Sequence, residues 1–140
     1  MKTVYLALGS NLGDRQSYLQ SAIDKLTSNQ VIKLVATSSV MENIAKDMPV
    51  GTPDFLNMVI KIQTTLAPLD LLDFVLAVEA VLGRERDTNS NIKNSRTIDI
   101  DIILYEDVTL QHERLVLPHP KYQERDFVQT PLQELLAKEH

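Results

Sequence analysis

The segment Arg96-Thr97-Ile98-Asp99-Ile100-Asp101-Ile102-Ile103 carries the most chemistry in this chain. Side chains alternate along a strand, so Ile98, Ile100 and Ile102 would point one way and Asp99 and Asp101 the other, the two Asp Cα atoms roughly 6–7 Å apart. Two carboxylates would then share one face. Like charges this close raise one pKa unless a cation lies between them. A few hard oxygen ligands suit Mg²⁺, which keeps several waters and completes its shell with substrate phosphates. The plainer alternative is an amphipathic strand with two solvated Asp residues, and for a lone D-x-D it would be preferred. Against it, Asp is a poor strand former, yet here it occurs twice beside a row of Ile.

Cations flank the pair: Arg84, Arg86, Lys93 and Arg96 before it, Arg114, His119 and Arg125 after it. That distribution suits an anion bound with its metal, as phosphoryl transfer requires, although each residue taken singly fits a solvated loop equally well. No Walker A sequence is present, which excludes a P-loop fold. Phe55 and Asn57 would share one face of another strand and offer an aromatic plate beside paired amide groups, a combination that suits a flat heterocycle. Cross-strand packing explains those two residues as well. Glu79 falls on the helix face of Leu72 and Leu76, placed to meet a strand or a ligand amine, or simply solvated. Gly9-Ser10-Asn11-Leu12-Gly13 reads as a phosphate cradle or as a strand-to-helix turn, and alone the turn is preferred.

The elements that must position these residues follow from periodicity. Residues 2–8 alternate and are broken by Gly9-Ser10-Asn11, which predicts a first strand. Leu19, Ala22, Ile23 and Leu26 form one helical stripe ending near Ser28-Asn29. The β-branched content of residues 31–40 predicts a second strand, though without two distinct faces, and 42–54, with Pro49, Gly51 and Pro53, read as a long loop. Residues 55–65 alternate again, with Leu56, Met58, Ile60 and Ile62 on the core side. Pro68 opens a helix with Leu71, Val75, Val78 and Leu82 buried, and Gly83 closes it. Residues 84–95 form a second long loop, 98–105 a strand and 112–117 another short one. Thr130-Pro131-Leu132-Gln133 has the form of a capping box before a short C-terminal helix. The order β-α-β-β-α-β with an appendage is that of a ferredoxin-like α+β sandwich.

The chain has 140 residues, a net charge of −5, no Cys and 44% hydrophobic residues, which fits one domain over 1–140. Acidity argues against a nucleic-acid binder, and neither a bilayer-spanning run nor a secretory signal is visible. A cytoplasmic protein is expected, with neither nucleic acid nor membrane as partner.

With those residues in view, the sequence resembles the 6-hydroxymethyl-7,8-dihydropterin pyrophosphokinases of folate biosynthesis. The matching pieces are Ala7-Leu8-Gly9-Ser10-Asn11-Leu12-Gly13, Ser38-Ser39, Pro53-Asp54-Phe55-Leu56-Asn57, and the segments 79–84, 96–103, 114–119 and 125–132. G-S-N-L-G together with R-x-x-D-x-D is far more specific than either motif alone. The resemblance implies a ferredoxin-like fold and transfer of the β,γ-diphosphoryl group of ATP to the pterin hydroxymethyl, leaving AMP. It implies that Asp99 and Asp101 hold Mg²⁺, as two ions, and that Arg84, Arg86 and Arg96 stabilise the transferring group. It further implies that Glu79, Arg114, His119 and Arg125 serve ATP, and that Phe55, Asn57 and Phe127 hold the pterin. Met41, Asn43, Ile44, Leu76, Ile92 and Asn94 depart from the family's pattern. A degenerate, non-catalytic pterin- or nucleotide-binding module is the alternative. A ferredoxin-like RNA-binding domain is disfavoured by 5% aromatic residues and the negative charge.

Overall fold

A computed structural model describes residues 1–11, 14–43, 55–84 and 98–137. Alternation of Val4, Leu6 and Leu8 with Tyr5 and Ala7 builds β1 (Lys2–Ser10), whose central residues are buried on both faces. The strand does not stop at Gly9 and Ser10, as the motif suggested. Gly9 pairs with both Asn57 and Asp99, so the sheet on either side carries it two residues further. Asp14 caps α1 (Arg15–Thr27), its carboxylate accepting from the Ser17 amide at 3.1 Å, and the buried stripe is Leu19, Ala22, Ile23 and Leu26 as the spacing predicts.

The predicted second strand is two. β2 (Ile32–Thr37) pairs with the later part of β4 (Phe55–Thr64), while β3 (Met41–Asn43) pairs with its beginning. Glu42 and Asn43 therefore belong to a strand rather than to the predicted loop. An irregularity between Leu34 and Ala36 leaves Leu34 and Val35 exposed, which explains why the sequence of β2 showed no distinct faces. The helix α2 (Pro68–Arg84) buries Leu71, Val75, Val78 and Leu82 and runs through Gly83 rather than ending there. Then come β5 (Asp99–Tyr105), the hairpin β6 (Leu110–His112) and β7 (Leu115–Leu117), a 3₁₀ turn at Tyr122–Glu124, and α3 (Asp126–Ala137).

The result is a mixed fold of helices and an antiparallel sheet in the order β2-β4-β1-β5, with β3 added beside β4. The two helices α1 and α2 cover one face, where Leu6, Leu8, Ile60, Ile62, Ile100 and Ile102 meet their stripes. On the opposite face lies α3. It starts at Asp126, four residues before the predicted cap, because Val128, Leu132 and Leu135 bury against Tyr5, Ala7, Val59 and Ile103. Three such side chains contribute about 1.5–3 kcal/mol each, which outweighs the one backbone bond Pro131 cannot make. The predicted appendage is thus a third layer, and the side of β4 that looked non-core is covered over part of its length. Among the described residues no helix is long and apolar enough to cross a membrane. Most of the first predicted loop (44–54) and nearly all of the second (85–95) lie outside the described residues.

Candidate active site

The candidate site lies next to the third layer. Along the α3 face, Tyr5 and Ala7 pack against the helix, and Gly9, one step further along β1, is buried as well. Register places Asn57 of β4 and Asp99 of β5 on either side of Gly9, and Val59 and Asp101 on either side of Ala7. A row Asn57–Gly9–Asp99 therefore crosses three strands on the α3 face, spanning about 10 Å, or two strand spacings.

Gly9 is the floor of that row. A Cβ there would lie 2.9 Å from Asn57 Oδ1 and 3.6 Å from Phe55 Cδ1, so the absence of a side chain lets the Asn57 amide and the Phe55 ring lie over the strand. The Asn57 Nδ2 is buried and has no hydrogen-bond partner among the described residues. Buried amides are normally satisfied, and an unsatisfied one beside an aromatic ring is suited to a ligand that brings its own acceptor. Asn57 and Phe55, paired on one face in the sequence reading, thus lie together over Gly9. The contribution of Gly9 was missed because the residue was read as ending its strand. A glycine inside an otherwise good strand, the usual mark of a close approach, was the available signal.

At the other end of the row, Ile98, Ile100 and Ile102 are buried against the helices, which turns Asp99 and Asp101 to the α3 face, both half-exposed. Arg125 comes to them from the start of α3: its Nη1 lies 3.9 Å from Asp101 Oδ2, and its guanidinium sits 5.7 Å from the centre of the Phe127 ring. Phe127, Arg125 and Asp101 are therefore brought together. His119 arrives by a different route. β5 is irregular against β1 between Ile102 and Leu104, and the intervening carbonyl, that of Ile103, accepts from the His119 amide at 2.9 Å. The bulge thereby fixes the His119 segment beside the Asp strand.

Burial, and then Arg125, push the His119 pKa below its ordinary 6.5; Lys121 acts in the same direction and Asp99 opposes them. The ring is accordingly neutral near pH 7. Its Nδ1 accepts from the Lys121 amide at 3.2 Å, which assigns the proton to Nε2 and makes that nitrogen a donor. Among the described residues no three His, Asp or Glu side chains converge on a metal-sized point. Asp99 and Asp101 fit a hard divalent cation that takes its remaining ligands from water and from phosphate oxygens, and do not form a closed protein cage.

The other predicted residues divide. Arg114 forms an ion pair with Asp73 of α2 at the protein surface. Glu79 directs its carboxylate to the backbone of β5, where Oε2 accepts from the Ile100 amide at 2.7 Å. Leu76, one turn before it, is exposed. The Arg84 backbone ends α2, but its side chain, Arg86, Arg96 and the departures Ile44, Ile92 and Asn94 lie outside the described residues.

A family model for 7,8-dihydro-6-hydroxymethylpterin-pyrophosphokinase (HPPK) matches residues 5–137. The chain belongs to this family. It is 40% identical over 134 residues to the 2-amino-4-hydroxy-6-hydroxymethyldihydropteridine pyrophosphokinase of Bacillus subtilis, covering 94% of this chain and 76% of that one. The enzyme of the same name from Porphyromonas gingivalis is 40% identical over 136 residues, covering 96% and 91%. The bifunctional protein FolKE of Lactococcus lactis is 44% identical over 142 residues, and there the chain spans only 39% of the longer protein. Among solved structures, an HPPK-DHPS in complex with substrates superposes with a TM-score of 0.68 at 12% identity, over 96% of this chain and 40% of that one. The HPPK-DHPS of Plasmodium falciparum gives 0.65 at 15% identity, with the same two coverages. These structural likenesses show the HPPK fold.

Proposed function

We propose that residues 1–140 act as one pyrophosphokinase domain that transfers diphosphate from ATP to the hydroxymethyl group of 6-hydroxymethyl-7,8-dihydropterin. The observation that carries this reading is the Asn57–Gly9–Asp99 row, which sets an amide beside an aromatic ring and a pair of carboxylates about two strand spacings apart on one face of the sheet. A pterin ring on Phe55, hydrogen-bonded by Asn57 and closed in by Phe127, would direct its hydroxymethyl along Gly9 toward the Asp pair. The hydroxymethyl oxygen attacks the β-phosphorus, the bond from that phosphorus to the α,β-bridging oxygen breaks, AMP leaves with that oxygen, and the hydroxymethyl proton is released.

Mg²⁺ bound at Asp99 and Asp101, as two ions, would neutralise charge on the triphosphate. The chain's own residues do the positioning. His119 offers a neutral Nε2–H donor beside Asp99, while Arg125, half-exposed and only loosely engaged by Asp101, is free to turn to phosphate oxygens. Arg84, Arg86 and Arg96 supply the remaining positive charge to the transferring group, and Arg114 joins the nucleotide side on release from Asp73. The strand order β2-β4-β1-β5, with helices after β1 and β4, supports a ferredoxin-like core extended by β3 and α3.

The test is AMP formation from ATP and Mg²⁺ with and without the dihydropterin. Pterin-dependent AMP, equimolar with pterin diphosphate, is the expected result. Binding of both ligands without AMP would establish the non-catalytic alternative.

A further inference from the structure

The two carboxylates stand on a strand at the edge of the sheet, and a side chain from α2 grips that edge. Among the described residues β5 has β1 on one side and no strand on the other. Along a strand the backbone groups of successive residues turn to opposite edges. Asp99, Ile100 and Asp101 are in register with Gly9, Leu8 and Ala7 of β1, and the outward bond of the Ile100 amide leaves Asp99 and Asp101 to face the β1 ladder. Ile100, between them, turns its N–H the other way, and Glu79 Oε2 accepts that N–H at 2.7 Å across 21 residues of sequence. Glu79 itself stands on a rigid frame, because Val75, Val78 and Leu82 of the same helix are locked in the core.

From this geometry we infer that Glu79 is a positioning residue: by gripping the Ile100 amide it fixes the short stretch of backbone that sets the spacing and direction of the Asp99 and Asp101 carboxylates. The inference rests on the pyrophosphokinase reading, and it gives Glu79 a role different from contact with the nucleotide. Residues 99–101 are then held by β1 through the outer two and by α2 through the middle one. Without the grip, the Ile100 amide would lose this acceptor, and the Asp pair would rock about the β1 ladder. Only an acceptor oxygen is needed, so Gln can replace Glu while Ala cannot.

The experiment compares wild type, Glu79→Gln and Glu79→Ala, each first checked for its melting transition. Three quantities are read: hydrogen exchange of the Ile100 amide in the free protein, affinity for Mn²⁺ in the presence of a non-hydrolysable ATP analogue, and kcat and KM for AMP formation. In Glu79→Ala the Ile100 amide exchanges faster, and Mn²⁺ affinity and kcat fall roughly 10- to 100-fold, the usual range for losing a group that orients metal ligands. KM for ATP changes by less than about threefold, and Glu79→Gln recovers most of the loss in all three readouts. If Gln is as damaging as Ala, or if KM for ATP rises while Mn²⁺ affinity stays constant, Glu79 acts on the nucleotide directly and the inference is wrong. If Glu79→Ala cannot fold, Glu79→Gln still decides, since the inference requires it to keep Ile100 protection and Mn²⁺ binding near wild type. A wild type that makes no AMP defeats the functional reading, whereas unchanged Ile100 exchange in Glu79→Ala defeats the grip.

Discussion

Gly9→Ala isolates the pterin half of the site from everything else. The added Cβ would sit 2.9 Å from Asn57 Oδ1, a separation real Cβ atoms do not adopt, and 3.6 Å from Phe55 Cδ1, which is ordinary contact. The atom that must give way is therefore the end of the Asn57 side chain, which can swing at small cost. Stability should change by no more than about 1 kcal/mol, since Ala also restricts the unfolded chain relative to Gly. Binding should change more. If the Asn57 amide makes two hydrogen bonds to the pterin at about 0.5–1.5 kcal/mol each, displacing it costs about 1–3 kcal/mol, or roughly 5- to 150-fold in pterin affinity. Calorimetric titration of the dihydropterin into protein saturated with a non-hydrolysable ATP analogue and Mg²⁺ reads this, with nucleotide titration as the control. Pterin affinity within twofold of wild type, or an equal loss for the nucleotide, would show that Asn57 and Gly9 do not form the ring site.

The remaining predictions concern the rest of the row and its supports. Asp99→Asn and Asp101→Asn should each abolish measurable turnover while leaving the melting temperature unchanged or raised, because a hard anionic ligand is lost without loss of volume and repulsion is relieved; near-normal turnover at ordinary Mg²⁺ would end the metal assignment. His119 has a folded-state pKa below 6.5, so below that pH the unfolded chain binds its proton more readily and stability falls with pH. Urea unfolding between about pH 7 and pH 5 should therefore show a shallower decline in His119→Gln than in wild type, and parallel declines would contradict the environment described. Glu134 of α3 accepts from the Ser39 amide at 3.0 Å and 3.2 Å and from its hydroxyl at 3.2 Å, so Glu134→Ala should lose about 1–2 kcal/mol of stability. An unchanged unfolding midpoint would mean that α3 is held by its apolar stripe alone.

Much of this arrangement could be read from local patterns, because the patterns and the packing agree. The stripes of α1 and α2 and the alternation of β5 were legible, since each element buries one face against a partner of the same kind. The Asp pair was legible for the same reason: three buried Ile residues leave Asp99 and Asp101 only one direction in which to point. Long-range decisions were not. Nothing near Thr130 announces that Val59 and Ile103, far away in sequence, provide a surface on which the helix can begin at Asp126. The Leu34–Ala36 and Ile102–Leu104 irregularities depend on register, which no local period encodes. Glu79 showed its face, and a strand among its possible partners, but not which group it meets, because that group is a backbone amide and carries no residue type for a motif to display.

The diphosphoryl group is expected to move as one unit from the Asp end of the row to the pterin end. A single turnover with ATP labelled at the β-phosphorus, excess protein, Mg²⁺ and the dihydropterin tests it directly. The account predicts label in the pterin product together with unlabelled AMP, at a rate abolished by Asp101→Asn. Label retained in ADP, or released as free diphosphate without a pterin adduct, would contradict it.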